Sequence, residues 1–438
     1  MKALIPALMF PALFLLIFAG IPVSFSLMLV SVAAGWFIFG DVLFQQLFGA
    51  VHSVASNFIL ASIPLFVLMG SILERSGVAS RLFQAMQIWL GRLPGGLALA
   101  TIAMGAIFAA ASGIVGAVEI VIGLMAIPTM RAFKYNNALI SGTICAGGSL
   151  GTIIPPTVIA VVYAALAQLS IGELFAAVIL PGAIMVLLFG AYVVLRCVIW
   201  PEDGPPISSE LDKPLGEKLW ITFTALFPAM ILITAVLGSM LSGIASPTEA
   251  AAVGVTGALL LALCYREMSW KVLRECLSST INISAMILLI VVGGTMFTGI
   301  FAAGKGSQLI LSLVESIGGG NFEIIAFFLF IVFILGFILD WISIILICVP
   351  IFTPVIRAAG IDPIWFAAMV LVTIQTSYLT PPMAPSIFYL RSIAPKDITY
   401  KEMYWGVIPF IALQFVTLFI VALVPATATW LPKLLVGF

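Results

Sequence analysis

Charge is scarce in this chain. Of its 438 residues, 18 are Lys or Arg and 18 are Asp or Glu, 8% in all, where soluble domains carry about 25%. The formal net charge is zero, so nothing electrostatic points to nucleic acid or to an anionic surface. There is one histidine, His52, which gives no metal-ligand cluster and reads as a loop residue between two spans. The five cysteines (Cys145, Cys197, Cys264, Cys276, Cys348) include no CxxC pair, so they read as free thiols within helices. No His/Cys/carboxylate cluster or cofactor motif suggests an enzyme. No continuous polar stripe suggests a channel. The stretch GIFAAGKG (299–306) nearly matches a phosphate-binding loop. Its hydroxyl position holds Gly306 and no strand precedes it, so nucleotide binding is not expected.

What the chain has is apolar length. Hydrophobic residues make up 63% of it, and apolar runs of about 20 residues recur throughout, as in a polytopic α-helical membrane protein. Spans are expected near 5–20, 22–39 and 56–74, then an apolar block over about 96–130, a run over 138–168 and a span over 173–199. Residues 201–219 (PEDGPPISSELDKPLGEKL) are the one linker-like segment. Spans resume near 221–241, 247–266 and 280–303, followed by a block over about 324–356, a run over 363–390 and a last span over 404–432. The first apolar run, Ala3 to Phe39, is too long for a signal peptide and is interrupted at Gly20–Pro22, which suits two spans.

The second half repeats the first. GTIIPPTVIAVVY (151–163) is echoed by SYLTPPMAPSIFY (377–389), so that Pro155, Pro156 and Tyr163 match Pro381, Pro382 and Tyr389 at a constant offset of 226. Pro128 and Pro354 share that offset. Two long apolar repeats fit a transporter better than a solenoid. Only 38 residues separate Arg92 from Arg131, and 33 separate Glu323 from Arg357. Two full spans need about 40 residues plus a turn, so each block has the length of a re-entrant hairpin. Each half then crosses the membrane five times, which inverts the second half. With the N-terminus outside, all basic residues except Lys2, Lys305, Arg357 and Lys433 fall inside, 14 of 18, as the positive-inside rule requires. The expected fold is therefore all-α and polytopic, with two inverted repeats over 1–200 and 220–438. Each has three spans, a re-entrant hairpin, a Pro-broken helix and a final span, and the cytoplasmic linker is 201–219.

The breaks are the first candidate site. A Pro pair ends a helix and frees carbonyl oxygens and half-helix ends, which suit a small hard cation and an anion respectively. A plain kink is the alternative. Small or hydroxyl residues flank both breaks, among them Gly151 and Thr152 in one and Thr376, Ser377 and Thr380 in the other. The hairpin tips are the second candidate: AASGIVGAVE (110–119), with Ser112, Gly113 and Gly116, and GFILDWIS (336–343), with Gly336, Asp340 and Ser343. Glu119 and Asp340 read as the two acids at membrane depth, functional or structurally paired. Ser246-Pro247-Thr248-Glu249 reads as a capping box that opens a span.

GIPVSFSL (20–27), SPTEAAAVG (246–254), GGSLGTIIPP (147–156), IGELFAAVILPG (171–182) and DWISIILICVPIFTPVI (340–356) together resemble the large membrane subunit of TRAP transporters, the tripartite ATP-independent periplasmic carriers. The resemblance covers nearly the whole chain. It implies an elevator-type ion-transporter fold in the bacterial inner membrane with a periplasmic N-terminus. The implied partners are a small four-helix membrane subunit and a periplasmic substrate-binding protein. The implied activity is sodium-coupled import of an organic acid, with no cofactor beyond the ions. Carried onto this chain, one sodium site would use Ser112, Gly113, Gly116, Gly151, Ile154 and Pro156. The other would use Gly336, Asp340, Thr380 and Pro385. Substrate would lie near Ser112, Ser343 and Thr376. The first tip departs from the Ser/Thr-rich SGSSVAT kind by reading SGIVGAVE, which leaves room for a proton role at Glu119. A stand-alone cation-coupled carboxylate carrier of the same fold is the alternative.

Overall fold

A computed structural model describes residues 5–113, 115–206 with 207, 214–306, 308–310, 312, 320–382 and 384–436. Lys2 and Lys213 of the charge argument lie outside the described residues, as does the side chain of Ser112. The described residues form nineteen α-helices and no strand. Among the described residues, seven helices are long and apolar enough to cross a membrane, or eight if a bent pair counts as one.

From the hairpin to the closing helix the two halves present the same order of elements. The first hairpin has arms Gly96–Ser112 and Val115–Ala132; the second has arms Asn321–Leu335 and Trp341–Ala358. The first broken helix runs Asn137–Ser149 and resumes as Val158–Ala167; the second runs Pro363–Leu379 and resumes as Pro385–Ile393. Long closing helices follow, Ile171–Ile199 and Tyr400–Leu423. Val115 and Trp341 begin equivalent helices, as do Asn137 and Pro363, each pair at the 226-residue offset. Even the caps correspond. Asn136 accepts from the N–H of Ala138 at 2.9 Å, and Asp362 accepts from the N–H of Ile364 at 2.8 Å, so each satisfies orphan donors at a helix start. Length alone would let Trp341–Ala358 span a membrane, but 67% of its apolar window is buried, against 22–44% in the other candidate spans. It is an internal arm.

Packing crosses between the halves. Val115–Ala132 lies against Pro385–Ile393, and Trp341–Ala358 lies against Val158–Ala167. The closing helix of each half packs on the first segment of the other half's broken helix. At one such crossing Gly142 faces Gly406; a Cβ on Gly142 would meet the Gly406 carbonyl, and one on Gly406 would meet the Ala138 carbonyl. Small residues let the helix backbones touch, which is how membrane helices gain dispersion energy without a hydrophobic driving force. The remaining long helices form a second group: Val23–Phe39 packs on Trp270–Ala303, and Ser62–Arg75 packs on Pro247–Cys264.

Several expectations need correction. His52 is not in a loop but in the helix Leu43–Ala55, its ring stacked on Phe48 at 6.1 Å. The span expected over 56–74 begins at Ser62, and a further helix, Val78–Leu90, follows at an angle of 61°. Gly77, at φ +72°, makes that corner. The span expected over 280–303 starts ten residues earlier, at Trp270, capped by Ser269. A helix begins at Leu215, within the segment read as linker. The last span divides into Tyr400–Leu423 and Ala426–Val436. The capping box at Ser246 is present: its N–H donates to Glu249 Oε2 at 2.7 Å. A second box, Thr399 with Glu402, opens Tyr400–Leu423 and was not anticipated.

Glycine substitutions test this packing. Gly142→Val is expected to destabilise the chain by about 1–3 kcal/mol through overpacking. Gly299→Ala, where nothing lies within 4 Å of the added carbon, is expected to be neutral or to stabilise by up to about 1 kcal/mol. Thermal unfolding of the two purified variants reads the difference.

Candidate functional site

The first tip sits on the first break. Gly113 ends its arm at φ +66°, its N–H donating to the Ala109 carbonyl at 3.0 Å. A Cβ there would stand 2.7 Å from the Pro156 carbonyl oxygen. Glycine is required at this position twice, for the left-handed backbone and for the close approach. The break itself is a short 3-10 turn, Leu150–Thr152, that leads through Pro155 and Pro156 to Thr157. The Pro155–Pro156 and Pro381–Pro382 peptide bonds are both cis. Thr157 Oγ1 accepts from the N–H of Ile159 at 3.1 Å and so starts the second segment. Gly151 is buried in the turn; Ile154 is half-buried, and its side chain faces Gly182. Gly116 is the second residue of the next arm, where a Cβ would enter the Tyr389 ring.

The second tip is organised by Asp340. Its Oδ2 accepts from the N–H groups of Ile342, at 3.1 Å, and Ser343, at 3.4 Å. Its Oδ1 accepts from the Ser343 hydroxyl. Asp340 is therefore the N-cap of Trp341–Ala358, and it remains half-exposed to the space in front of it. Gly336 lies against Ser377, whose Oγ is buried with no partner among the described residues. Thr380 Oγ1 donates to the Thr376 carbonyl, and Thr376 Oγ1 donates to the Thr373 carbonyl, both at 2.6 Å. The hydroxyl protons of Ser343 and Thr376 are thus engaged within the protein, and both side chains are buried. Pro385 opens the segment after the break.

A cavity of about 640 Å³ joins the two tips. Gly113, Gly116, Gly336, Asp340 and Pro385 line it. Gly151, Ile154, Pro156, Ser343, Thr376 and Thr380 are not among its lining residues. Its far wall is formed by Val23–Phe39, Ser62–Arg75 and Trp270–Ala303. Trp341, Tyr378 and Tyr389 also line it. These aromatics were missed from sequence, although Tyr389 belongs to the repeated pattern and Trp341 adjoins the tip acid. Glu74 and Arg75 border the cavity as well, so Glu119 and Asp340 are not the only acids at this depth. Arg75 is held by Ser71 at 3.0 Å and by Glu74 at 3.5 Å.

Glu119 is not at the tip. It lies within the arm Val115–Ala132, fully buried, accepting a hydrogen bond from Ser386 Oγ of the second broken helix at 2.5 Å. Nearby, Gln375 Nε2 donates to Ser149 Oγ at 3.3 Å. Ser149 and Gln375 are repeat-equivalent, 226 residues apart, so the two breaks touch where their local symmetry brings like positions together. Gln375 and Ser386 carried no sequence signal of their own, and Ser149 only that of a hydroxyl residue flanking the first break.

Comparisons bear on what such a site serves. Residues 10–427 match the family described as tripartite ATP-independent periplasmic transporter, DctM component. The sialic acid TRAP transporter large permease protein SiaM of Vibrio cholerae is 29% identical, covering 97% of each chain. The C4-dicarboxylate TRAP transporter large permease protein DctM of Pseudomonas aeruginosa is 31% identical, covering 87% of this chain and 88% of that one. Among solved structures, the YdaH transporter of Alcanivorax borkumensis superposes with a TM-score of 0.63 over 95% of this chain and 97% of that one. At 13% identity it speaks to the fold alone.

Asp340 should separate into a capping role and a charge role. In potassium buffer, Asp340→Ala is expected to cost about 1 kcal/mol, the loss of a helix cap, whereas Asp340→Asn keeps a capping oxygen and costs a few tenths. Thermal unfolding of both variants checks this.

Proposed function

The chain belongs to the DctM-component family of tripartite ATP-independent periplasmic transporters, and from that premise we propose that it imports a small organic acid in a sodium-coupled elevator cycle. The observation that carries this reading is the pairing of two broken helices with two hairpin tips around one cavity. Interrupted helices inside a membrane protein are where substrate and coupling-ion sites are built.

The first sodium ion would be held by oxygens near Gly113, Gly116, Gly151, Ile154 and Pro156, with Ser112 as a further candidate. The contact between Gly113 and the Pro156 carbonyl supports this grouping. The second would be held near Gly336, Asp340, Thr380 and Pro385, three of which share the cavity. Substrate would lie between the tips, near Ser112, Ser343 and Thr376. An acid as substrate is supported by the names of two relatives, which specify sialic acid and C4-dicarboxylate. The hairpins and broken helices would form the moving body. The other long helices would form a scaffold, whose exposed apolar residues, among them Phe223, Phe227 and Ile231, offer a face to the small four-helix membrane subunit. A periplasmic binding protein would deliver the substrate. The repeats 1–200 and 220–438 would be inverted in the inner membrane, with the N-terminus periplasmic and residues 201–219 cytoplasmic.

Sodium chloride is expected to raise the thermal midpoint of the purified chain above its value in potassium chloride. Asp340→Asn should reduce that increment while leaving the potassium value nearly unchanged. Equal midpoints in the two salts, together with reconstituted uptake that runs as fast without a sodium gradient, would refute the coupling.

A further inference from the structure

The Glu119 carboxyl belongs to neither sodium site. It is fully buried, its Oε1 accepts from Ser386, and its Oε2 has no partner among the described residues. A Cβ on Gly148 would fall on the Glu119 side-chain carbons, so the acid is wedged between its own arm, the first broken helix and the second. It forms the polar contact of a joint: the first hairpin seats here on a helix of the other repeat.

The groups that face it bring no positive charge. The titratable groups within electrostatic range of it are the Cys145 thiol from Asn137–Ser149, the Tyr378 phenol from Pro363–Leu379 and the Tyr389 phenol from Pro385–Ile393. The arm Gly96–Ser112 carries no titratable residue. Cations on the packed elements have other partners among the described residues. Arg131 pairs with Asp397 at 2.5 Å, Arg391 donates to the Ile398 carbonyl at 2.6 Å, and Arg75 is held by Ser71 and Glu74. Arg81 lies over the Tyr265 ring at 4.2 Å. A carboxylate in such a place lacks the counter-charge that a buried ion needs, whereas a carboxylic acid does not.

We propose that Glu119 is a proton-binding site, exchanging its proton with the cavity past Tyr389, and that its occupancy is tied to the seating of the first hairpin. Tyr389 lines the cavity and packs on Gly116, one turn before Glu119. Loading forms one O–H bond on the carboxylate with a proton taken from hydronium, leaving water; unloading reverses this. The charge of the joint then depends on the cavity's pH. The idea rests on the transport reading for the claim that the proton travels with the hairpin. Its occupancy can be read without transport.

Infrared difference spectra of the lipid-reconstituted chain across a pH series provide the test. A protonated-carboxyl carbonyl band is expected that is missing in Glu119→Gln and that disappears reversibly as the medium becomes alkaline. Tyr389→Phe keeps the ring on Gly116 and should slow hydrogen–deuterium exchange of that band several-fold. If Glu119→Gln does not fold, Ser386→Ala identifies the band instead, by moving it to higher frequency as its carbonyl loses a hydrogen bond. The proposal is overturned if no such band responds to either substitution, or if the band persists at every pH at which the chain is folded, the mark of a merely structural acid. Failure of sodium dependence would leave these spectra unchanged, so the two readings fail separately.

Discussion

A helix interrupted inside a membrane leaves backbone N–H and C=O groups that lipid cannot satisfy. The rest of this structure is arranged around that constraint. Each break is covered by protein: the first break turn lies against its own repeat's hairpin, while the helix after each break is packed by the opposite repeat, Trp341–Ala358 shielding the helix after Pro156 and Val115–Ala132 the helix after Pro382. Local capping does the remainder. Thr157 and Asp340 accept from the first N–H groups of the helices they begin. The hydroxyls of Thr376 and Thr380 turn back onto carbonyls of their own helix.

Crosswise cover has a mechanical consequence. A hairpin that is seated on the other repeat's helix cannot move alone without exposing that helix. The Glu119–Ser386 and Gln375–Ser149 contacts tie the halves at the centre, and Arg131 with Asp397 ties them at the rim. The hairpins and broken helices are thereby tied together, as the proposed elevator cycle requires. Charge is placed sparingly around the cavity. Asp340 serves as a helix cap and as a cavity-facing oxygen at once, so a cation drawn to it would meet a carboxylate already held in position by the backbone.

Sequence periodicity and punctuation made much of this legible. The repeated Pro pairs marked the breaks, the short apolar blocks marked the hairpins, and the 226-residue offset marked the repeat. A capping box at Ser246 could be read because its mechanism is local. Asp340 could have been read as a cap too, since an acid directly before an apolar helix with Ser three residues on is the same kind of signal. What stayed hidden was long-range. Nothing in one sequence says that Val115–Ala132 would lie on Pro385–Ile393 as well as on Asn137–Ser149 of its own repeat. The partners of Glu119 and Ser149 followed from that crossing and were hidden with it. Short helices such as Val78–Leu90 were missed because they fall below the length of a span and carry polar residues.

Distances between pairs of spin labels test the rigid crosswise body most directly. Leu124 on the first hairpin, Phe388 on the second broken helix and Leu260 on the scaffold are 58%, 54% and 58% exposed, so each can carry a label without disturbing the core. In lipid, exchange of potassium for sodium is predicted to change the Leu124–Leu260 distance distribution while the Leu124–Phe388 distribution stays fixed. A Leu124–Phe388 distance that changes as much as the distance to the scaffold would show that the hairpin moves independently of the other repeat and would contradict the single moving body.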